Sequence, residues 1–353
     1  MPVRNALLIQ TAFIGDVILT TPMIAAFKQF FPDARLSVLV KPEAVSLLRH
    51  NPHVAEVLVI DKAGVHRGPA GMLRMAREIR SRKFDVLLGP HQSHRSSILA
   101  MLSGIERRVG YRGAALARFA YQDLLERDLD RPEIERLLQF LDGAFSIDTG
   151  RCSRDLEIYI EDENRTTARH LLRDLNAPRP VLVAPSSVWP TKRWTAWGFA
   201  RLCLLLSRRY QTRVLLVGSK ADQTVNQEVL TNLSMMVGPE SRDRVIDIAG
   251  QTSLPVLYAI MEQSRLLVSN DSAPVHLGCA ARIPVVAIFG PTVPALGYAP
   301  IAPGTTVAEL PDLVCRPCGT HGAKRCPLEH FRCMKDLTPE MVMERVNLVA
   351  GHA

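Results

Sequence analysis

Short apolar runs alternate with amphipathic stretches along most of this chain. Asn5–Gln10, Leu36–Val40, Val54–Ile60 and Phe84–Leu88 have the length and composition of buried strands. Between them, Val17–Phe30, Glu43–Arg49, Met72–Arg82 and Ser96–Leu102 carry helical spacing. Strand-helix alternation of this kind predicts right-handed βαβ crossovers and a parallel sheet. Arg112–Gly150 reads as largely helical and has no clear place in the pattern.

The alternation restarts near Pro180. Val181–Ala184, Val214–Val217 and Val245–Ile248 read as strands, with helices at Trp197–Arg209, Gln223–Leu233 and Leu254–Gln263. The series closes on Val268–Pro291. There the apolar Arg265–Val268 stops at Ser269-Asn270-Asp271-Ser272, a helix follows over Ala273–Ala281, and Pro284–Phe289 forms a last strand before Gly290-Pro291. This places a polar turn and a helix start at the carboxyl edge of a sheet, where unpaired N–H groups suit a phosphate. Asp271 or Ser272 can cap that helix, with His276 one turn in; an ordinary cap followed by a helical histidine fits these residues equally well. The helix Glu161–Leu175 and the segment Asn176–Pro180 form the expected junction. The predicted organisation is therefore one α/β domain over 1–160, a second over 161–337, and a C-terminal helix over 338–353, with packing back on the first domain as one option for it.

At 353 residues the chain is long enough for two such domains, and 47% hydrophobic with 22% charged residues is a globular composition. Its apolar runs fall short of the ~20 residues of a membrane span, and Ala6–Ile9 is too short for a signal-peptide core. A cytoplasmic location is expected, and seven cysteines fit reduced thiols there. The net charge of +8 is unevenly distributed, with twelve Lys/Arg against three acids between Lys62 and Arg118. Such a stretch attracts anionic membranes or phosphorylated substrates. No nucleic-acid motif accompanies it, so nucleic acid is not an expected partner.

Three loops could carry chemistry. Gly15-Asp16 sits where the first strand gives way to a helix, as a cap or as a carboxylate able to accept a proton from an attacking hydroxyl. Ser186-Ser187 followed by Lys192-Arg193 resembles an anion site without being a P-loop. Asp222, after the next strand, could take ribose hydroxyls or simply cap a helix. No GxGxxG follows the first strand, which counts against a dinucleotide oxidoreductase. Cys315, Cys318, Cys326 and Cys333 could supply four thiolates to a structural zinc, although the second pair is too widely spaced for a zinc ribbon; a redox pair or a Cys-rich flap is the alternative.

In order, Phe13-Ile14-Gly15-Asp16-Val17, Lys192-Arg193-Trp194, Ser269-Asn270-Asp271-Ser272 with His276, Gly290-Pro291-Thr292, and the tail from Cys326-Pro327-Leu328 to Thr338-Pro339 resemble the ADP-heptose:lipopolysaccharide heptosyltransferases of glycosyltransferase family 9. The match spans nearly the whole chain. It implies the GT-B fold, two facing doubly wound Rossmann-like domains with a central cleft, the first binding the acceptor and the second the ADP-sugar. It implies inverting transfer of heptose from ADP-heptose to the lipopolysaccharide inner core, of the second-heptose type. Asp16 becomes the candidate base; Ser186, Ser187, Lys192, Asp271, Ser272 and Ala273 the diphosphate site; His276 a neighbour of phosphates or sugar; and Asp222 the ribose ligand, though the family more often has Glu nearby. Ala273 stands where a Gly is common. Kdo-lipid A or its heptosylated form would be the acceptor, giving Arg67, Arg74, Arg77, Arg95 and Arg112 a use. Lys192 and the helix-start amides would stabilise the departing ADP with no metal or other cofactor required, leaving zinc on the cysteines as a structural option only. The enzyme would then work peripherally on the inner face of the inner membrane. Another sugar-nucleotide transferase or epimerase of this fold, and a nucleotide-binding module without catalysis, are the competing readings.

Overall fold

Two runs of parallel strands organise the computed structural model, which describes residues 3–114 and 116–349; the chain divides into the units Met1–Tyr159 and Ile160–Ala353. The first unit contains β1 (Asn5–Ile9), β2 (Arg35–Val40), β3 (Glu56–Val59), β4 (Val86–Gly89), β5 (Arg107–Tyr111) and β6 (Asp123–Leu125). They form one sheet in the order β3-β2-β1-β4-β5-β6, every pair parallel. Strands near the middle are apolar on both faces because helices cover both. Thus β1 and β4 are almost wholly buried, whereas β3 and β6 at the edges are half-buried.

The second unit repeats this plan with β7 (Val181–Ala184), β8 (Val214–Leu216), β9 (Val245–Asp247), β10 (Leu266–Asn270), β11 (Val285–Phe289) and β12 (Thr305–Glu309). Its order, β9-β8-β7-β10-β11-β12, is the same Rossmann arrangement. In each unit the order reverses beside the first strand, between β1 and β4 and between β7 and β10. Loops leaving the carboxyl ends of those pairs flank an opening there, the usual position for a ligand. Two Rossmann-type units in one chain make the α/β GT-B-like fold that the resemblance implied.

Several elements depart from the expectation. The helix expected over Val17–Phe30 is two, Ile14–Leu19 and Thr21–Phe30. Pro22 cannot donate a backbone bond to the Ile18 carbonyl, and the Thr21 hydroxyl does so instead at 2.8 Å. β6 lies within a stretch expected to be helical, and β5 and β12 were not expected as strands. All three are short and carry polar residues at one end or both, so they lack a clear apolar run, and pairing with a neighbouring strand secures them. The C-terminal helix, Pro339–Val349, turns Val342, Val346 and Val349 into the second unit's own core, and Trp194 Nε1 donates to the Leu337 carbonyl just before it. Residues 350–353 of the expected 338–353 helix lie outside the described residues.

Candidate functional site

At the carboxyl edge of the second sheet, Asn270 ends β10 with no exposed surface. Its side-chain amide donates to the Pro185 carbonyl at 2.6 Å and its oxygen accepts from the Trp194 amide at 3.0 Å. One side chain thereby ties the loop after β10 to both ends of the loop after β7. In the space this creates, Lys192 Nζ donates to Asp271 Oδ2 at 2.6 Å, and the Thr292 hydroxyl, on the loop after β11, donates to the same oxygen at 2.7 Å. Both partners of the ion pair are largely buried. A charge-assisted bond in such surroundings fixes where the ammonium sits.

The helix Ala273–Ala280 starts immediately beside this group. Ser272 is its N-cap, but the Ser272 hydroxyl donates back to the Asn270 carbonyl at 3.1 Å and leaves the helix-start amides without a side-chain cap. Those amides and the helix dipole favour an anion at this point. His276, one turn in, is only 4% exposed. Burial pushes its imidazole down to about 4, with Asp271 pulling upward and Lys192 adding to the fall. It is neutral at physiological pH, and its Nδ1 has no hydrogen-bond partner among the described residues. The residues together present one ammonium, hydroxyls, a helix start at which Pro274 has no N–H and the Val275 amide donates to the Ser272 carbonyl at 3.0 Å, leaving Ala273 as its first amide, and a neutral imidazole. That is a set suited to a diphosphate and the group attached to it.

Ser186 and Ser187 are buried in the loop after β7. Ser186 does not point only to this centre, since its hydroxyl donates to Asp222 Oδ1 at 2.5 Å. The second Asp222 oxygen accepts from both the amide and the hydroxyl of Ser219, at 2.7 Å each. The Asp222 carboxylate thus closes a capping box with Ser219 and braces the Ser186 loop; as N-cap of the helix Gln223–Met236 it makes no side-chain bond.

The cysteine segment braces the same loops from outside. The Thr191 hydroxyl donates to the Ala323 carbonyl at 3.0 Å, the Cys318 amide donates to Pro291, and Arg316 pairs with Glu309 while donating to the Thr292 carbonyl. Gly322 is packed so tightly on the turn that a Cβ there would fall 2.4 Å from Trp189 Cβ. Cys318 is exposed, Cys315 and Cys326 are half-buried and Cys333 is buried. Among the described residues no group of three His, Cys, Asp or Glu is placed to hold a metal.

In the first unit, Asp16 opens the helix after β1, where its Oδ2 accepts from the Phe13 amide at 3.0 Å. Although part of the residue meets solvent, burial of the carboxylate dominates, and the nearby Glu133 adds to it. They outweigh the Phe13 bond and the Arg127 guanidinium, raising the group to about 6. Around it on the same edge stand cations that sequence reading did not single out. Lys62 Nζ donates to the Thr11 hydroxyl at 3.1 Å, and burial, with Lys41 and Arg95 nearby, pushes it down to about 8. His91 is driven to about 4 by burial and by Lys62, Arg127 and Lys41. These groups come from the ends of β2, β3, β4 and β6, so no sequence spacing relates them. Of the five arginines expected to read an acceptor, Arg95 adjoins this cluster and Arg67 caps the helix Gly68–Ser81. Arg74 and Arg77 lie on that helix's exposed face, roughly 9 and 14 Å along it at ~1.5 Å per residue. Arg112 is exposed and paired with Glu126.

Comparison with known proteins bears on what these sites share. A family model described as "Glycosyltransferase family 9 (heptosyltransferase)" matches residues 72–332. Lipooligosaccharide heptosyltransferase 2 of Campylobacter jejuni is 24% identical over 337 residues, which cover 94% of each chain. The crystal structure of a family 9 glycosyltransferase from Veillonella parvula superposes with a TM-score of 0.85 at 22% identity, covering 100% of this chain and 99% of that one. The ADP-heptose lipopolysaccharide heptosyltransferase II of Escherichia coli gives 0.78 at 20% identity, with 99% of both chains covered.

Proposed function

Because the chain belongs to glycosyltransferase family 9, the heptosyltransferases, we propose that it moves a heptose from ADP-heptose to a hydroxyl on the inner core of lipopolysaccharide, inverting the anomeric carbon. The observation that carries this reading is the Lys192–Asp271–Thr292 group beside an uncapped helix start in one Rossmann unit. Asp16, with its raised pKa at the carboxyl edge of the first sheet, is the candidate base.

The donor diphosphate takes Lys192, the Ala273 amide at the helix start, and the Ser187 and Ser272 hydroxyls. Asp271 orients the ammonium, and Asp222 keeps Ser186 in place. Neutral His276 can accept from a sugar hydroxyl without adding charge. The acceptor oxygen attacks C1, the C1–O bond to the β-phosphate breaks, and its electron pair leaves with ADP. The acceptor proton passes to the Asp16 carboxylate, so one displacement balances with no covalent intermediate. Lys192 and the helix-start amides stabilise the charge that develops on ADP. A base tuned to about 6 is ionised at neutral pH yet more proton-hungry than an ordinary carboxylate. This chemistry requires no metal.

Lys41, Lys62, Arg95 and Arg127 offer the acceptor's anionic groups a cationic rim around that base. The acceptor of this reading is heptosylated Kdo-lipid A, in keeping with the name of the Campylobacter relative. The enzyme then works peripherally at the cytoplasmic face of the inner membrane, and among the described residues no helix is long and apolar enough to cross one. Calorimetric titration with ADP tests the donor half: the Lys192→Met/Asp271→Asn double variant, which leaves no buried lone charge, should bind roughly 10–100-fold more weakly, the loss expected of charge-assisted bonds. Unchanged affinity would overturn the assignment.

A further inference from the structure

The crossover from β3 to β4 carries the helix Gly68–Ser81 over one face of the first sheet, and the next two connections lay His94–Leu102 and Ala117–Ala120 beside it. Right-handed connections running the same way put all three on one face. Their inner sides supply Met75, Ile79, Leu99, Ala100, Ala117 and Ala120 to the core. The outer sides of surface helices are ordinarily polar. Here Leu73, Ile98, Met101, Leu116 and Phe119 are exposed, Phe119 by 71%. Between the first two helices runs a groove of about 390 Å³, lined by Pro69, Met72, Leu73, Ile98 and Leu102 and bordered by Arg95.

The charge on this face is one-sided. The three helices carry Arg74, Arg77, Arg80, Arg95 and Arg118 against a single acid, Glu78, which is already paired with Arg82 at 3.2 Å. Apolar side chains interspersed with arginines, and no free acids, match the interfacial layer of an anionic bilayer: the apolar groups enter among the acyl chains while guanidiniums meet lipid phosphates. An acidic protein partner would account for the arginines but not for the exposed Phe119, Leu116 and Met101.

We propose that this three-helix face docks the protein on an anionic lipid surface, with Phe119 and Leu116 entering the headgroup layer and Arg74, Arg77 and Arg118 on lipid phosphates. The idea rests on the reading that the acceptor is a membrane glycolipid, and it gives Arg74 and Arg77 a membrane rather than an acceptor-reading task. Arg95 joins the two, bordering the groove while facing Lys62 at the edge that holds Asp16.

Flotation of the full chain with vesicles of phosphatidylethanolamine and 30 mol% phosphatidylglycerol, against pure phosphatidylcholine, is the test. The protein should float with the anionic vesicles only. The Leu116→Asn/Phe119→Ser/Arg118→Gln variant should bind at least about tenfold more weakly, given the effect of one basic side chain near an anionic surface; Asn suits the positive φ of Leu116. Arg74→Gln/Arg77→Gln should show a similar loss, and added salt should weaken wild-type binding. Met235→Ser, at an equally exposed apolar residue of the second unit (73%), should bind like wild type. Equal binding by wild type and the triple variant, or an equal loss in Met235→Ser, overturns the proposal. Transfer to a deacylated, water-soluble acceptor separates the two ideas: a wild type that transfers to it yet does not float with anionic vesicles keeps the enzymatic reading and sinks the docking face, whereas a triple variant that keeps this transfer while losing vesicle binding is the result the docking face predicts.

Discussion

Asp16 couples catalysis to stability, and Asp16→Asn exposes both. Holding a carboxylate at about 6 rather than 3.8 costs roughly 3 kcal/mol once the group is ionised, at ~1.4 kcal/mol per pH unit. Because the residue keeps some contact with solvent, about 2 kcal/mol is a fair discounted figure. Asparagine resembles the protonated acid, so the variant should be more stable than wild type by about that amount at pH 7.5. The sign follows from the direction of the shift. Below 3.8 both folded and unfolded wild type are protonated and nothing is lost. As pH rises, the unfolded chain ionises first, so wild-type stability falls relative to the variant until about 6 and is level beyond. At pH 4.5 only about a third of the gap should remain. All three tryptophans, Trp189, Trp194 and Trp197, lie in the second unit. Hydrogen exchange at β1 and β4 amides is therefore the suitable readout, not tryptophan fluorescence. A gap that is absent at pH 7.5, or that widens as pH falls, would refute the argument.

Other consequences can be checked separately. Wild-type turnover should climb with pH to a plateau above about 6, and Asp16→Asn should lose roughly 10²–10⁴ in kcat with ADP affinity unchanged, measured by single-turnover kinetics and calorimetry. Asn270→Ala removes one partner from two buried backbone groups and should cost about 2–4 kcal/mol in denaturant unfolding of the second unit. Gly110→Ala would put a Cβ 2.5 Å from the buried Tyr121 ring, and should cost about 1–3 kcal/mol, partly restored by Tyr121→Leu. Because His276 stays neutral down to about 4, ADP affinity should be flat between pH 5.5 and 8 apart from ionisation of the phosphate. Chelator should leave transfer intact, and zinc near one equivalent in protein purified without chelator would support the structural site on the cysteines.

Much of the fold was legible because central strands such as β1, β4, β7 and β10 are buried on both sides and so read as uninterrupted apolar runs. Strands at or next to the edge are half-wet, and Arg107-Arg108 in β5 or Asp123 in the edge strand β6 look no different from loop. Pro22 breaks the helix expected over Val17–Phe30; the apolar spacing runs on through the break, and only the missing proline N–H marks it. At the site, Asp16, Lys192, Asp271 and His276 stand out because each lies in the loop or helix start that follows an apolar strand. Thr292 reads in sequence only as part of a turn, and its bond to Asp271 depends on two strands lying side by side. Lys41, Lys62, His91 and Arg127 come together only when four strand ends are aligned in the sheet.

Heptosyl transfer itself tests the central claim most directly. Purified wild-type protein with ADP-heptose should heptosylate mono-heptosylated Kdo-lipid A with release of ADP, leave Kdo-lipid A largely unmodified, and do neither once Asp16 is Asn. ADP-heptose that binds yet is transferred to neither acceptor by the wild type would contradict the account.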